Sequence, residues 1–307
     1  MAFAPPAIPA PKFSNVLFAT DFSPCSQAAL PYACAIAKHF EATLHVVHVF
    51  TQGEPIPVAA QAQGAGVNDQ EAIARRALAD LVDSRPVNEV RHFASIHRGA
   101  VPAVIARLIS ERDADLIVLG THGRHGVKYF MVGSIAEQIL RIGKCPVLAV
   151  GPGIHLREPA SPSFGKILVA TNFSASSMRA FSYAASVACA YKSTLVLFHA
   201  ISGETTETEE ESLAYLENAT ADATEQLYKM LPMNLPINCE VLIRHGSPTE
   251  ITPAEMIVQT AAERKIDLVV MGAPCDDPAI YYAPWTTVHS VLCNAPCPVM
   301  TLRDAAD

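Results

Sequence analysis

The sequence DLIVLGTHGRHGVKYFMVGS, from Asp115 to Ser134, joins a short apolar run to a loop rich in glycine. The run at 116–119 has the length and composition of a buried strand. Glycines follow at positions 120, 123 and 133, and a serine comes directly after the last of them. Inside a regular element, glycine costs about 0.5–1 kcal/mol relative to alanine. The spacing therefore predicts that the backbone turns tightly here or approaches another group closely.

A sequence similar to this strand occurs again later in the chain as part of a long internal repeat. Four pairs of segments correspond: NVLFATDFS (15–23) and KILVATNFS (166–174), ATLHVVHVF (42–50) and STLVLFHAI (193–201), ADLIVLG (114–120) and IDLVVMG (266–272), and KCPVLAV (144–150) and PCPVMTL (296–302). The offsets are 151 or 152 residues, which indicates a duplicated domain rather than a solenoid unit. We predict two domains, 12–150 and 166–303, joined by a Pro/Gly/Ser-rich linker at 151–165.

Each copy alternates strand-like runs with helix-length segments. In the first copy the strands are expected near 15–20, 43–50, 90–97, 115–120 and 146–150, and the helices near 25–40, 69–83, 101–112 and 134–142. Near-continuous apolar strands are typical of a parallel sheet that is buried on both faces. The alternation predicts an α/β fold with right-handed crossovers, which binds ligands beyond the carboxyl ends of its strands. Asp21 and Gly120 are both expected at that edge.

The composition narrows the class of protein. Of 307 residues, 50% are hydrophobic and 17% are charged, and the formal net charge is −8. Such a chain can bury a large core, and it has no dense basic cluster, so we predict no nucleic-acid partner. The unbroken apolar stretches are only strand-sized, which predicts no membrane span. Eight scattered cysteines fit buried thiols in a reducing compartment, so we predict a soluble, cytoplasmic protein.

The end of the glycine loop has the features of an anion site. If Gly133 and Ser134 begin a helix, the free N–H groups and partial positive charge there suit a phosphate. Gly133 would let the backbone approach the anion, and Ser134 adds a hydroxyl donor. Asp21, across the cleft, could orient a ribose or help to hold a divalent ion that bridges phosphates. Together these residues predict a nucleotide site, although its pattern is neither the Walker sequence GxxxxGK[ST] nor GxGxxG.

These residues also resemble a known family. The spacing G-x2-G-x9-G-S at Gly120, Gly123, Gly133 and Ser134 is similar to the signature of the universal stress protein family. The segments ATDFS and CPVLAV resemble that family too. The likeness covers nearly the whole chain, once in each copy of the repeat. It implies two flavodoxin-like or Rossmann-like domains, each a five-stranded parallel sheet of order 3-2-1-4-5. It also implies ATP with Mg²⁺ as ligand and pairing of the domains through their last strands. We further expect a homo-oligomer.

The resemblance assigns site residues position by position. The ribose and base would contact Ala19, Asp21, Val49, Leu119 and Gly120, and the phosphates would contact Gly123, Gly133, Ser134 and Ile135. Asp21 would also make an indirect contact to Mg²⁺. The alternative is that the glycines are ordinary turn residues and that Gly-Ser is an ordinary helix start.

Histidines in the loop extend the predicted site. His122 and His125 lie beside Arg124 and could approach phosphates, with His122 the better placed. Such residues are more often solvated loop groups.

A zinc site is the less favoured interpretation of the cysteines near the C-terminus. His289 and Cys293 are spaced i, i+4 on an expected helix, and Cys275 and Cys297 lie nearby in sequence. No CxxC pair occurs, and Cys145, the counterpart of Cys297, has no such companions. Core cysteines are therefore the preferred interpretation.

The second copy keeps the strands but departs from the motif. The glycine at position 120 is kept as Gly272. The positions of Gly123, Gly133, Ser134 and Asp21 are instead occupied by Cys275, Trp285, Thr286 and Asn172, respectively. Asp276 and Asp277 add negative charge that would repel phosphates. We predict that this copy does not bind ATP and serves as a folding partner or holds a less charged ligand.

No catalytic arrangement accompanies the site. The sequence shows no GxSxG elbow and no SGGxDS or HxGH phosphate loop. We expect no fast enzyme, and at most a slow ATPase. The preferred function is a regulatory role in the stress response that depends on ATP occupancy. The alternatives are a scaffold that binds a partner or apolar ligand without nucleotide, and a weak ATPase.

Overall fold

The chain forms two compact units, one of Lys12–Pro162 and one that contains Ser163–Asp307. The computed structural model describes residues 13–51, 70–123, 132–154, 162, 164–203, 208–232, 235–246, 250–273 and 283–303. Among the sequence-predicted features, Arg124, His125, Cys275, Asp276 and Asp277 lie outside the described residues.

The described part of the first unit alternates strands and helices in the predicted order. Its elements are β1 (Asn15–Ala19), α1 (Pro24–His39), β2 (Thr43–Phe50), α2 (Gln70–Asp83), β3 (His92–Arg98), α3 (Val101–Glu111), β4 (Leu116–Gly120), α4 (Ser134–Ile142) and β5 (Val147–Val150). The strands lie in the order β3-β2-β1-β4-β5, and their registers are parallel. The predicted α/β class and the order 3-2-1-4-5 are confirmed for this unit.

The second unit repeats the arrangement. Its described elements are β6 (Lys166–Ala170), α5 (Ala175–Tyr191), β7 (Thr194–Ser202), α6 (Glu209–Met230), β8 (Cys239–Gly246), α7 (Pro253–Glu263), β9 (Leu268–Ala273), α8 (Ala283–Asn294) and β10 (Val299–Arg303). Taken from β8, the order is β8-β7-β6-β9-β10, again with parallel registers. The same 3-2-1-4-5 order therefore holds in both units.

The central strands are buried because helices cover both faces of a parallel sheet. In β1, Val16, Leu17 and Phe18 have no exposed surface, and the same is true of Leu116–Val118 in β4. The carboxyl ends of these two neighbouring strands fix the positions of Asp21 and Gly120, the two residues expected at one edge.

A glycine at the end of the fourth strand of each unit allows that strand to pack directly on a helix backbone. A Cβ added to Gly120 would lie 2.6 Å from the carbonyl carbon of Cys25 and from the amide nitrogen of Ser26 in α1. A Cβ on Gly272 would lie 2.5 Å from the carbonyl carbon of Ser176 in α5. Both distances are too short for any side chain, so both glycines are required by packing.

Within the described residues, no helix is both long enough and apolar enough to cross a membrane.

Candidate functional site

A cavity of about 310 Å³ opens at the carboxyl edge of the first unit's sheet. It lies between the ends of β1, β2 and β4 and the beginnings of α3 and α4. The structure brings all of the sequence-predicted contact residues together in its lining: Ala19, Asp21, Val49, Leu119, Gly120, His122, Gly123, Gly133, Ser134 and Ile135. Small-molecule sites usually measure about 300–1,000 Å³, so the cavity is large enough to be one.

The lining also contains residues that the sequence did not single out. They are Thr20, Ser26, Val47, His48, Val101, Ile105, Thr121, Ala136 and Ile139. Two spacings could have indicated some of them. Val47 precedes Val49 by two residues on a strand and so shares its face, and Val101 and Ile105 are i, i+4 on a helix. These four apolar side chains give the β2–α3 side of the cavity a hydrophobic wall.

The turn after β1 places the carboxylate of Asp21. The Ser23 N–H donates to Asp21 Oδ1 at 3.0 Å, and the Phe22 N–H donates to Thr20 Oγ1 at 3.0 Å. Phe22 has a φ of 61°, which turns the chain from the strand into α1. Ser23 then caps that helix by accepting from the Ser26 N–H. Asp21 is therefore held by its own turn, with its other oxygen directed toward the glycine loop.

The glycine loop lies directly beside Asp21 in the lining of the cavity. A Cβ on Gly123 would lie 2.9 Å from Asp21 Oδ2. Any side chain at this position would push the carboxylate aside, so the glycine keeps the Asp21 side of the cavity open.

The N-terminus of α4 faces the same space without a side-chain cap. Gly133 is the N-cap, with φ −60° and ψ 141°, and no side chain accepts from the first turn. By contrast, serine or threonine side chains cap α1, α5 and α7. The Gly133 N–H donates to the Thr121 carbonyl at 2.8 Å, which anchors the start of the helix. The first N–H groups of α4 therefore border the cavity as donors for an anion.

Two histidines in the lining are held by hydrogen bonds. His122 Nδ1 lies 2.8 Å from Thr121 Oγ1, and Ser23 Oγ donates to the His122 carbonyl at 3.1 Å. His48 Nδ1 donates to the Thr20 carbonyl at 2.8 Å. His199 makes the same contact to Thr171 in the second unit. The His48 contact is therefore a feature of the fold that both units share, whereas His122 belongs to the glycine loop.

Asp21 is the acidic group of the cavity: among the described lining residues it alone carries a carboxylate. No group of three or more His, Cys, Asp or Glu side chains suited to a metal occurs in the described part of the chain. On α8, His289 Nδ1 and Cys293 Sγ lie 3.9 Å apart, and both Cys293 and Cys297 are buried. The predicted contact between Asp21 and a Mg²⁺ ion stays a prediction.

The second unit keeps the turn after its first strand but changes its charge. Asn172 stands where the first unit has Asp21, and its Oδ1 accepts from the Ser174 N–H at 3.2 Å and from the Ser174 hydroxyl at 2.6 Å. Phe173 has a φ of 63°, close to that of Phe22. The geometry of the turn is thus preserved without a carboxylate.

Comparison with known families identifies the repeated unit. The family model described as "Universal stress protein family" matches residues 12–151 and matches again at residues 163–303. The chain belongs to the universal stress protein family. It contains two universal stress protein domains in tandem, as the internal repeat and the glycine spacing predicted.

Relatives in sequence match about one domain's length. Universal stress protein A homolog 1 of Coxiella burnetii is 38% identical over 145 residues, which cover 45% of this chain and 96% of that protein. A universal stress protein of Methanocaldococcus jannaschii is 25% identical over 154 residues, which cover 45% of this chain and 82% of that protein.

Solved structures show the same fold. A universal stress protein from Archaeoglobus fulgidus has a TM-score of 0.65 and 19% identity, covering 94% of this chain and 98% of its own. A universal stress protein crystallised in complex with cAMP covers 46% of this chain and 98% of its own, with 22% identity and a TM-score of 0.36.

Proposed function

We propose that the first domain binds ATP with Mg²⁺ in the cavity at the edge of its sheet, and that ATP occupancy controls a regulatory role in the stress response. One observation carries the proposal. The uncapped N-terminus of α4 and the carboxylate of Asp21 border one cavity. A helix end that favours anions and a separate acidic group in one cavity suit a ligand that carries both phosphates and hydroxyl groups.

The phosphates would lie against the glycine loop and α4. The N–H groups at the start of a helix favour negative charge, and this preference is typically worth 0.3–1 kcal/mol for an exposed group. Ser134 adds a hydroxyl donor at the same end. Gly123 and Gly133 have no Cβ, so the loop backbone can approach phosphate oxygens closely.

The base would lie against the apolar wall. Val49, Leu119, Val101 and Ile105 all line the cavity, and flat aromatic rings are stabilised by contact with such side chains. Asp21 lies beside Gly123 of the glycine loop, and its carboxylate would accept hydrogen bonds from ribose hydroxyls.

The Mg²⁺ ion would be held mainly by the ligand. Magnesium usually keeps several waters and binds one or two carboxylates together with substrate phosphates. With Asp21 as the acidic group of the described lining, the chain supplies at most one carboxylate, through a water molecule. The chemistry that the ion would supply is neutralisation of phosphate charge.

The second domain is proposed to bind no ATP. It has Asn172 at the position of Asp21 and Trp285 at the position of Gly133. The first change removes the carboxylate, and the second adds the largest side chain where phosphate should approach the backbone. The proposed pairing of the domains through their last strands would give this domain a structural role.

A calorimetric titration of nucleotide-free protein tests the proposal. ATP, ADP, AMP, cAMP and GTP would each be titrated with and without Mg²⁺. The proposal predicts saturable binding of ATP, weaker binding of GTP and tighter ATP binding when Mg²⁺ is present. If no nucleotide binds, the chain is a scaffold without a nucleotide. Release of ADP beyond one equivalent per chain would instead indicate a slow ATPase.

A further inference from the structure

The two units differ strongly in charge. Residues 12–162 contain 14 Lys and Arg and 13 Asp and Glu, whereas residues 163–307 contain 8 and 17. The first unit is therefore near neutral at +1, and the second carries −9, which together give the net charge of −8. Charge asymmetry of this size steers association between complementary surfaces.

Part of the negative charge of the second unit lies on one exposed face of α6. Leu213 and Tyr228 on this helix are 59% and 62% exposed, and Glu210 and Glu217 are exposed too. At 3.6 residues per turn, these four side chains lie within an arc of about 60°. Glu225 pairs with Lys229, but Glu210 and Glu217 form no ion pair among the described residues. We call these four residues the acidic face of α6.

The first unit has a surface of opposite character beside its edge strand. Within this unit β3 is the last strand in the order and pairs with β2. Phe93 on β3 is 56% exposed, and its ring stacks on His45 of β2 with centroids 5.8 Å apart. Arg91 and Arg112 are exposed. We call Arg91, Phe93 and Arg112 the basic edge.

The field at this edge is positive. Burial lowers the pKa of His45, and the charges of Arg112 and Arg91 lower it further. Glu111 lies nearby but is held by Arg107 at 2.8 Å. Arg91 and Arg112 are thus the charges that act on His45 at this edge.

We propose that the basic edge of one chain docks on the acidic face of α6 in a second copy. The spacing on the helix is compatible with this contact: Glu210 and Glu217 lie about 10 Å apart along the axis, with Leu213 between them. Phe93 would pack against Leu213, while Arg91 and Arg112 pair with Glu210 and Glu217. The two surfaces belong to different units, so the contact is head to tail and builds rings or filaments.

The interface is small, which determines how it should behave. One strand edge and one helix bury less than the roughly 800 Å² per partner of a standard stable complex. Association should therefore be weak and should depend on salt, because exposed ion pairs are screened within about 8–10 Å at physiological ionic strength.

Two charge-reversed variants of the full chain test the geometry by sedimentation velocity over a concentration series. One is Arg91→Glu with Arg112→Glu, and the other is Glu210→Lys with Glu217→Lys. All four side chains are exposed, so folding should be retained, which circular dichroism checks. Each variant alone should associate at least about tenfold more weakly than the wild type at low salt. Lys144→Glu is the matched control and should associate as the wild type does. Lys144 is exposed and precedes β5, which lies at the opposite end of the first unit's strand order from β3.

Mixing the two variants tests whether the two surfaces meet each other. In the mixture, the reversed edge of one variant meets the reversed face of the other with opposite charge, so association should return. A contact between two identical surfaces would involve only one of the two patches, so the other variant alone would associate like the wild type. The proposal is overturned if the mixture stays dissociated, if either variant associates like the wild type, or if the wild type shows no concentration-dependent association at low salt.

Discussion

Gly120 and Cys25 lie so close together that a Cβ on the glycine would stand 2.6 Å from the cysteine's carbonyl carbon. The same relationship joins Gly272 to Ser176 in the second domain, at 2.5 Å. The first glycine of the motif is therefore retained in both domains because the strand packs on a helix backbone. Gly123 and Gly133, which the second domain lacks, are the glycines that distinguish the candidate site.

Alanine at the two packing glycines should destabilise the fold equally in both domains. Gly120→Ala and Gly272→Ala each force a strand away from a helix backbone, and such overpacking typically costs about 1–3 kcal/mol. Urea unfolding followed by circular dichroism measures the effect. Gly133→Ala is the control, because its Cβ would lie 3.2 Å from the Thr121 carbonyl oxygen and can be accommodated by a small shift. Wild-type stability of Gly272→Ala would contradict this account of the close contact.

Asp21→Asn should weaken ATP binding while leaving the fold intact. Asn172 shows that an amide can accept the same turn hydrogen bond from the serine two residues later. The substitution therefore removes only the charge, and we expect about a tenfold or greater loss of affinity with a weaker response to Mg²⁺. Calorimetric titrations with and without Mg²⁺ measure both effects.

Asn172→Asp provides the matched control in the second domain. It should leave ATP affinity unchanged, because that domain also lacks the glycines at 123 and 133. Unchanged affinity and metal response in Asp21→Asn would remove Asp21 from the site.

Gly133→Trp should abolish nucleotide binding, since it places in the first domain the residue found at Trp285 in the second. The N-cap backbone has φ −60°, a value that any residue adopts, so the helix should still form. Gly133→Ala should give an intermediate loss, because its Cβ meets the Thr121 carbonyl oxygen at 3.2 Å. Thermal melting checks the fold, and ATP titration checks the site. Normal ATP binding by the folded tryptophan variant would mean that the phosphates lie elsewhere.

The free energy of unfolding should decrease as the pH drops below about 6.5. The pKa values of His45, His97 and His199 are all held below their ordinary value of 6.5, chiefly by burial. The unfolded chain therefore takes up protons at a higher pH than the folded chain does. Stability is fully present above the unfolded pKa and is lost as the pH falls through it toward the folded values.

His45→Gln isolates one of these contributions. Urea unfolding at about pH 7.5, 6.5 and 5.5 should show a smaller loss of stability for this variant than for the wild type, because one titrating group is gone. Parallel pH profiles for the two proteins would show that His45 makes no such contribution.

The sequence predicted the elements well because their signals are local. Parallel strands buried on both faces are continuous apolar runs, and the G-x2-G-x9-G-S spacing ties the end of β4 to the start of α4. Other features depend on packing between elements that are distant in sequence. The need for glycine at Gly120 arises from α1, and the contribution of Val101 and Ile105 to the cavity depends on where α3 packs. The i, i+4 spacing of Val101 and Ile105 places both on one face of the helix, but it does not tell which element that face packs against.

The nucleotide content of the purified protein tests the central claim most directly. Protein prepared without added nucleotide would be denatured and the released nucleotide quantified by ion-exchange chromatography, with ATP titrated into any empty fraction. We expect one adenine nucleotide per chain, counting bound and titrated sites together. Two per chain would show that Asn172 and Trp285 do not disable the second domain. None bound and none titrated would contradict the claim that the glycine loop of the first domain holds a nucleotide.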